Sequence, residues 1–522
     1  MSLHVGWNYS APAHECHDVV MQDAPCWRPS SSLLRAGRQL SDWILGISPP
    51  VSPPTPYTRF LPLSKEHECA WPEPRIPSTF HAPPHHPSYI QSLPQELLEE
   101  IFREYIHSPS ASSLSSGRSL TGSYQRIVSH LGANTTPMLL AHVCPSWRAV
   151  VLSYPALWSR LCVFHAHAAD FPLLEFWLAR ISNSPLDLTI VQRYKRVGEL
   201  VDHDTPQILA MTLRHASLRS VSLQLDVDME HLFGGTTDSI APSLEQFQLN
   251  LMNWSPEGCG VLSQLLLASP TLHTARWGST CGEIYGHFDT LWSTLSTIEL
   301  GHIGLSDLFT HLPQMLALQS LRIDDLDIDC SALGSEHLAS INLPHLTTLS
   351  FGFYSNLCPL LDSLLLPSLT NLSLGHGFGL GIPEGRGWPS LEKLVERSHC
   401  RLLSFDWSRR RMEEDVMVRL FNHASDHIFP ELEYLRICSP VGDQFVSALT
   451  LGGDSARLPC LTSLALRSCR ARDATLISMV LSRPLLQDLH VKIKCSLYPT
   501  ESSSALYQQL TACRPGRFFI EL

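Results

Sequence analysis

The residues able to do chemistry are abundant in this chain but poorly arranged for it. Among 522 residues there are 26 His and 15 Cys. His81, His85 and His86 stand among prolines, and His14, Cys16 and His17 near the N-terminus, with no paired ligands at the spacing of a structural zinc site. The run Gly375-His376-Gly377-Phe378-Gly379-Leu380-Gly381 invites a phosphate-cradle reading. It fits neither GxGxxG in a βαβ unit nor GxxxxGK(S/T), and no Lys, Ser or Thr is placed for a phosphate, so it reads as a glycine-rich repeat loop. Asp324, Asp325, Asp327 and Asp329 gather carboxylates beside an expected strand but lack the calcium-loop pattern. They read as a solvated acidic face, open to a basic target. Arg409-Arg410-Arg411, followed by Glu413, Glu414 and Asp415, is most simply a solvated helix start. No GxSxG or HExxH element occurs. The expectation is no enzyme, no cofactor and no metal.

Composition excludes further classes. Lys+Arg 37 against Asp+Glu 49 gives a net charge of -12, which argues against a nucleic-acid partner. Hydrophobic residues make up 44% and charged residues 16%, the latter well under the usual figure of about 25%. No apolar run reaches the roughly 18 residues of a membrane span, and no membrane partner is expected. Met1 to Val20 carries no basic stretch leading into an apolar one, so no secretory leader is expected. The cysteines form no framework and no CxxC pair. Together these features point to a reducing compartment, the cytoplasm, the nucleus or both.

The chain divides into three regions. Residues 1–90 hold 15 of the 38 prolines and read as an extended Pro/His-rich linker, with one candidate amphipathic helix from Leu33 to Ile47. Residues 91–162 read as a compact helical segment. Ser92-Leu93-Pro94-Gln95 is a capping-box start, and Leu93, Leu97, Ile101 and Tyr105 recur every four residues, widened by Leu98 and Phe102. A Ser-rich loop from His107 to Asn134 leads to a second start at Thr136-Pro137, and Pro145 divides the apolar run from Leu139 to Val151 into two short helices. Trp147 and Trp158 are expected in core and junction packing.

From residue 163 to 522 the chain is expected to be one repetitive unit. The pattern apolar-x-x-apolar-x-apolar starts at Leu218, Leu244, Leu272, Leu295, Leu318, Leu346 and Leu369, spacings of 23 to 28 residues, and again at Leu432, Leu461 and Leu486. A proline lies two residues ahead of the first apolar position at Pro242, Pro270, Pro344, Pro367, Pro389, Pro430, Pro459 and Pro484. Helical patterns fill the intervals. Residues 387–410 are irregular, because Leu391 and Leu394 fit the pattern but Glu396 does not. A short strand alternating with a helix stacks into a curved parallel sheet with helices outside, an α/β solenoid.

The repeats resemble the leucine-rich repeat, LxxLxLxx(N/C)xL, although only Leu461 to Cys469 carries the Cys after the strand. The helical segment resembles the F-box, in the F-box-like form common in fungal proteins with a leucine-rich C-terminal half. The matching residues are Leu93-Pro94-x-Glu96-Leu97-Leu98-x-x-Ile101-Phe102, then Leu139-x-x-x-Val143-Cys144-x-x-Trp147-Arg148, then Pro155-x-Leu157-Trp158. The inserted loop is long, and Pro145 stands where the family carries a basic residue. The resemblance implies a substrate receptor of a Skp/cullin/F-box-type ubiquitin ligase. It implies that Leu93, Pro94, Leu97, Leu98, Ile101 and Val143 bind a Skp-type adaptor and, through it, a cullin scaffold. The solenoid would then hold an unknown protein target. Candidate target contacts are the strand x positions Arg219, Gln246, Gln248, Arg276, Glu299, Arg322, Asp324, Asn371, Arg436 and Arg467. The alternative is a leucine-rich-repeat interaction scaffold with no link to a ligase, its short helices serving as a solenoid cap.

Overall fold

The structure, a computed structural model, describes residues 93–107, 127–129, 136–165, 167–192, 204–225, 243–251, 254–278, 282–327, 340–354, 356–377, 387–408, 412–452, 457–493, 508 and 517–521. The readings of residues 1–90, Ser92, Asp329 and Arg409-Arg410-Arg411 lie outside these.

The described residues open on helix α1 (Gln95–His107), strand β1 (Ile127–Val128), and helices α2 (Pro137–Ala141) and α3 (Pro145–Ser153). Pro145 sits in the first turn of α3, where its missing N–H costs nothing, and the Cys144 sulfur accepts from the Trp147 N–H at 3.4 Å. Strands and helices then alternate. They run β2 (Arg160–Phe164), α4 (Phe171–Ile181), β3 (Leu186–Val191), α5 (Asp204–Thr212), β4 (Leu218–Leu225) and β5 (Gln246–Leu251). Next come α6 (Pro256–Leu267), β6 (Thr274–Trp277), α7 (Asp289–Trp292), β7 (Thr297–Gly304), α8 (Leu305–His311) and β8 (Ser320–Asp327). The middle holds β9 (Ile341–Asn342), β10 (Thr348–Tyr354), α9 (Cys358–Ser363), β11 (Leu364–Leu365), β12 (Asn371–Gly377) and α10 (Gly387–Ser398). The last elements are β13 (Ser404–Trp407), α11 (Glu414–His427), β14 (Tyr434–Ile437), α12 (Asp443–Ala448), β15 (Ser463–Cys469), α13 (Asp473–Ser482), β16 (Asp488–Ile493) and β17 (Arg517–Glu521).

Among the described residues, fifteen of these strands form one sheet in chain order, with β9 and β11 paired separately. Every neighbour in the large sheet is parallel except β1, which runs antiparallel to β2. Sequential parallel neighbours joined by helices are the geometry of a solenoid. Alternate strand residues, such as Val221, Leu223 and Leu225 of β4, are buried together with helix residues in one continuous core from Leu98 to Phe518. Among the described residues, most of the intervening strand positions, which form the other, open face, are half-buried or exposed. No helix among the described residues is long and apolar enough to cross a membrane.

The recurrent proline has a specific job. The first apolar residue of a repeat donates its N–H to the carbonyl of the residue before the proline: Leu272 to Ser269, Leu346 to Leu343, Leu369 to Leu366, Leu432 to Phe429, Leu461 to Leu458 and Leu486 to Arg483. Each proline is therefore the second residue of a hydrogen-bonded β-turn, where its fixed φ is preset. Pro389 is the exception: it starts α10, so Leu391 and Leu394 are helical. The strand of that irregular repeat is β13, read from Leu402, Phe405 and Trp407.

Carboxylates and guanidiniums tie consecutive helices end to end. Glu414, at the start of α11, accepts from the Gly442 and Phe445 N–H groups at the start of α12, at 2.9 and 2.7 Å. A Cβ at Gly442 would lie 2.5 Å from that carboxylate, so a side chain there would push the Glu414 head aside. Asp443 repeats the contact one helix on, accepting from the Arg472 N–H and the Thr475 hydroxyl at 2.8 and 2.7 Å. At the opposite ends, Arg397 donates to the Leu361 and Leu364 carbonyls, and buried Arg483 to those of Leu449, Leu458 and Arg457. Burial pushes the Arg483 guanidinium down to about 10, still charged at neutral pH. Acids at helix starts and arginines at helix ends also match the helix dipole.

Candidate functional site: two surfaces

The first surface belongs to the helical segment. Helix α1 carries two apolar stripes, each with a period of four residues. Leu98, Phe102 and Ile106 point into the core, whereas Leu97, Ile101 and Tyr105 face solvent. The two faces are about 100° apart on a helical wheel. Leu98 keeps 4% of its surface exposed and Leu97 52%. Leu98 is therefore corrected from an adaptor contact to a core residue. Leu93 is half-buried against the core and Pro94 is exposed. Val143, just after α2, is 59% exposed, and Leu139 of α2 is exposed as well.

The core beneath fixes the segment. Phe102 and Trp147 lie with ring centroids 4.7 Å apart. Trp158 is fully buried, donates Nε1 to the Val151 carbonyl at 2.9 Å and accepts at its own carbonyl from Trp177 Nε1 at 2.8 Å. Trp147 is only half-buried. The expected boundary at 162 falls inside β2, so the sheet already runs into the helical segment. β1, from the region read as the Ser-rich loop, pairs with β2 through Ile127↔Val163 and Val128↔Cys162. Tyr105 and Leu139 are exposed apolar residues that sequence reasoning did not put among the adaptor contacts.

The second surface is the open face of the sheet. Strand register aligns Gln248, Arg276, Glu299, Arg322, Ser350, Ser373, Asp406, Arg436 and Ala465 into one row. Gln246 and Asn371 belong to the adjacent row. Most of the charged members are paired. Arg276 lies 3.3 Å from Glu299, Arg322 is 2.8 Å from Asp324, and Arg436 is 3.1 Å from Asp406. The Asp324 hydrogen bond, offset in part by burial, raises the Arg322 guanidinium above its ordinary value. Arg219 sits where the β3–β4 register shifts and grips Asp187 through two nitrogens, the shortest contact being 2.8 Å. Asn371 donates to the Thr348 and Thr370 hydroxyls at 3.3 and 3.0 Å. Arg467 is exposed.

Beyond this row the sheet continues. Where the repeat pattern expects Asn or Cys, Ile303, Leu326 and Tyr354 are buried, like Cys469. Two residues therefore stand between the last apolar strand position and this one, and the register skips one of them. His302, Asp325, Phe353 and His376 thereby align into a further row. Gly352 and Gly375 occupy the skipped positions, where a Cβ would lie 2.4 Å from the Asp324 carbonyl oxygen and 2.0 Å from that of Gly352. Gly375 is thus required by close strand approach, and Phe378 to Gly381 of the same run lie outside the described residues. No group of three metal-ligating side chains occurs among the described residues. Burial raises the Cys400 thiol to about 11 and the Cys469 thiol above its ordinary value, away from reactive thiolates.

No family model matches the chain, and no curated protein matches it. Similar solved structures include the leucine-rich repeat-containing protein LegL7 of Legionella pneumophila. It is 13% identical with a TM-score of 0.32, covering 60% of this chain and 96% of that one. A Bacteroides fragilis protein is 16% identical with a TM-score of 0.32, covering 51% of this chain and 70% of that one. An LRR protein of Leptospira interrogans is 15% identical with a TM-score of 0.25, over 64% of this chain and 82% of that one. The register of the chain's own strands defines the class: an α/β leucine-rich-repeat solenoid. Its N-terminal end carries a short helical segment with an apolar stripe open to solvent.

Proposed function

We propose that this chain is the non-catalytic substrate-recognition subunit of a Skp/cullin/F-box-type ubiquitin ligase. In this reading the helical segment docks a Skp-type adaptor, and the open face of the sheet holds the target protein. One observation carries the reading. α1 carries a second apolar stripe that its own core does not use, so that Leu97, Ile101 and Tyr105 are left in water, as are Leu139 of α2 and Val143 just after it. Large apolar side chains clustered in solvent are a liability unless a partner covers them, and an amphipathic face of this kind suits helix-in-groove docking. The buried stripe, Leu98, Phe102 and Ile106, keeps the exposed one rigidly presented.

The competing reading is a repeat scaffold whose helices only cap the solenoid, and the continuous core and the β1–β2 pairing favour it. Co-purification separates the two. The intact chain is expected to capture a purified Skp-type adaptor, and the Leu97→Asp, Ile101→Asp double variant to lose it without loss of thermal stability. Equal capture by both proteins, or none by either, leaves only the scaffold.

A further inference from the structure

The chain meets its need for positive charge almost wholly with arginine. Of its 37 Lys+Arg, the lysines are Lys65, Lys195, Lys393, Lys492 and Lys494. Lysine is ordinarily among the commonest residues of a soluble protein. Lys65, Lys195 and Lys494 lie outside the described residues. Lys393 stands exposed on α10, in the helix layer, and Lys492 exposed on β16. From β2 to β15, every strand position held by Lys or Arg is therefore an arginine: Arg160, Arg219, Arg276, Arg322, Arg436 and Arg467.

Geometry demands a guanidinium at only some of the arginine sites. Arg219 grips Asp187 through two nitrogens, and Arg483 donates to three carbonyls, tasks that suit a planar fork and not a single ammonium head. Elsewhere the two residue types are interchangeable. The Arg401 side chain is 75% exposed and reaches Glu431 through one nitrogen at 3.4 Å. That of Arg419 is 66% exposed and lies 3.2 Å from Asp415, one helical turn away. Arg214 and Arg470 are exposed, with no salt-bridge partner among the described residues. Such solvent contacts contribute little with either cation. What arginine withholds at these four positions is a nucleophilic amine, because its guanidinium does not deprotonate in proteins.

Ubiquitin transfer consumes such an amine. A neutral Lys Nζ attacks the thioester that joins the ubiquitin C-terminus to a conjugating enzyme. An amide bond forms, the C–S bond breaks, and the proton lost by the amine leaves with the thiol. A receptor that holds its target within reach of that thioester is held there itself, so its own lysines compete with those of the target. We propose that this chain is spared by the ligase it serves: its surface cations are guanidiniums, so ubiquitin passes to lysines of the bound target while the receptor survives to bind again. This rests on the ligase reading and adds to it a control on the receptor's own lifetime.

The test is a reconstituted transfer reaction containing the intact chain, a purified Skp-type adaptor, the cullin scaffold, activating and conjugating enzymes, ubiquitin and ATP. It compares wild type with the fourfold variant Arg214→Lys, Arg401→Lys, Arg419→Lys, Arg470→Lys. Every charge is kept, so the variant should retain the wild-type melting curve and adaptor capture. The variant is expected to acquire ubiquitin about threefold faster, as exposed acceptors among the described residues rise from two to six, with the new conjugates mapped by mass spectrometry to the introduced lysines. Equal conjugation of the two proteins, or conjugates on the variant that avoid the four new lysines, overturns the inference and leaves the ligase reading standing. No conjugate on either protein, with the adaptor captured, also overturns it, because arginine content is then not what protects the chain. Failure of the wild-type chain to capture the adaptor refutes the ligase reading itself, and the inference with it.

Discussion

Leu97 and Leu98 are adjacent residues of one type with opposite environments, and truncating each to alanine separates them. Leu98→Ala removes buried carbon from a site with 4% exposure, in a core shared with Phe102, Val151 and Trp158. Lost transfer energy plus the cavity left behind amounts to about 3 kcal/mol. Leu97→Ala trims a side chain already 52% in water and should cost no more than about 0.5 kcal/mol. Because a repeat stack need not unfold as one unit, a global melt alone can miss the effect. Amide hydrogen exchange of the intact chain resolves it locally. Leu98→Ala should speed exchange across α1, α3 and β2, whereas Leu97→Ala should leave those protections near wild type. Similar losses in both variants would mean that Leu97 is packed, and the argument for a surface awaiting a partner would fail with it.

Three further outcomes test the fold that presents these surfaces. Arg483→Met leaves the Leu449, Leu458 and Arg457 carbonyls without their donor and should cost roughly 3 kcal/mol, read as a lower urea midpoint. Gly375→Ala places a carbon 2.0 Å from the Gly352 carbonyl oxygen, forcing β10 and β12 apart; a loss of about 3 kcal/mol or more is expected by the same assay. Hydrogen bonds from the Arg472 N–H and the Thr475 hydroxyl hold the Asp443 carboxyl below its ordinary value. Its contribution is thus present above the ordinary carboxylate range and fades as pH falls through the lowered value. Asp443→Asn should remove that acid-limb dependence at a cost of about 1 kcal/mol or less, given its solvent-screened position. Urea midpoints measured against pH check the sign.

The repeats were legible because burial on one sheet face forces an apolar alternation that short strands cannot hide. Leu218/Val221/Leu223 and its successors mark β4 onward on that basis alone. Pro145 likewise marks the division of α2 from α3, since the ring cannot sit in a helix interior. The features hidden in the sequence are those that depend on partners rather than pattern. On α1 both halves of a broad apolar stripe look alike in sequence, so only the packed fold says which half, Leu98 or Leu97, is core. β3 carries no such proline turn ahead of it, β2 follows the Pro155 turn with one residue more than the later spacing, and β1 is two residues long, so none of the three repeats the later signature. Phe353 is hidden because the register skip at Gly352 turns it outward, against strict alternation from Phe351. The carboxylate caps from Glu414 and Asp443 span about one repeat and have no local motif.

The central claim is that the solvent-facing stripe of α1 is a protein-docking surface for a Skp-type adaptor. Titrating the purified adaptor into the intact chain by calorimetry tests it most directly. The account predicts saturable one-to-one binding that Leu97→Asp, Ile101→Asp abolishes and Asp325→Lys leaves unchanged. Absence of binding to the wild-type chain, or equal binding to the double variant, would contradict it.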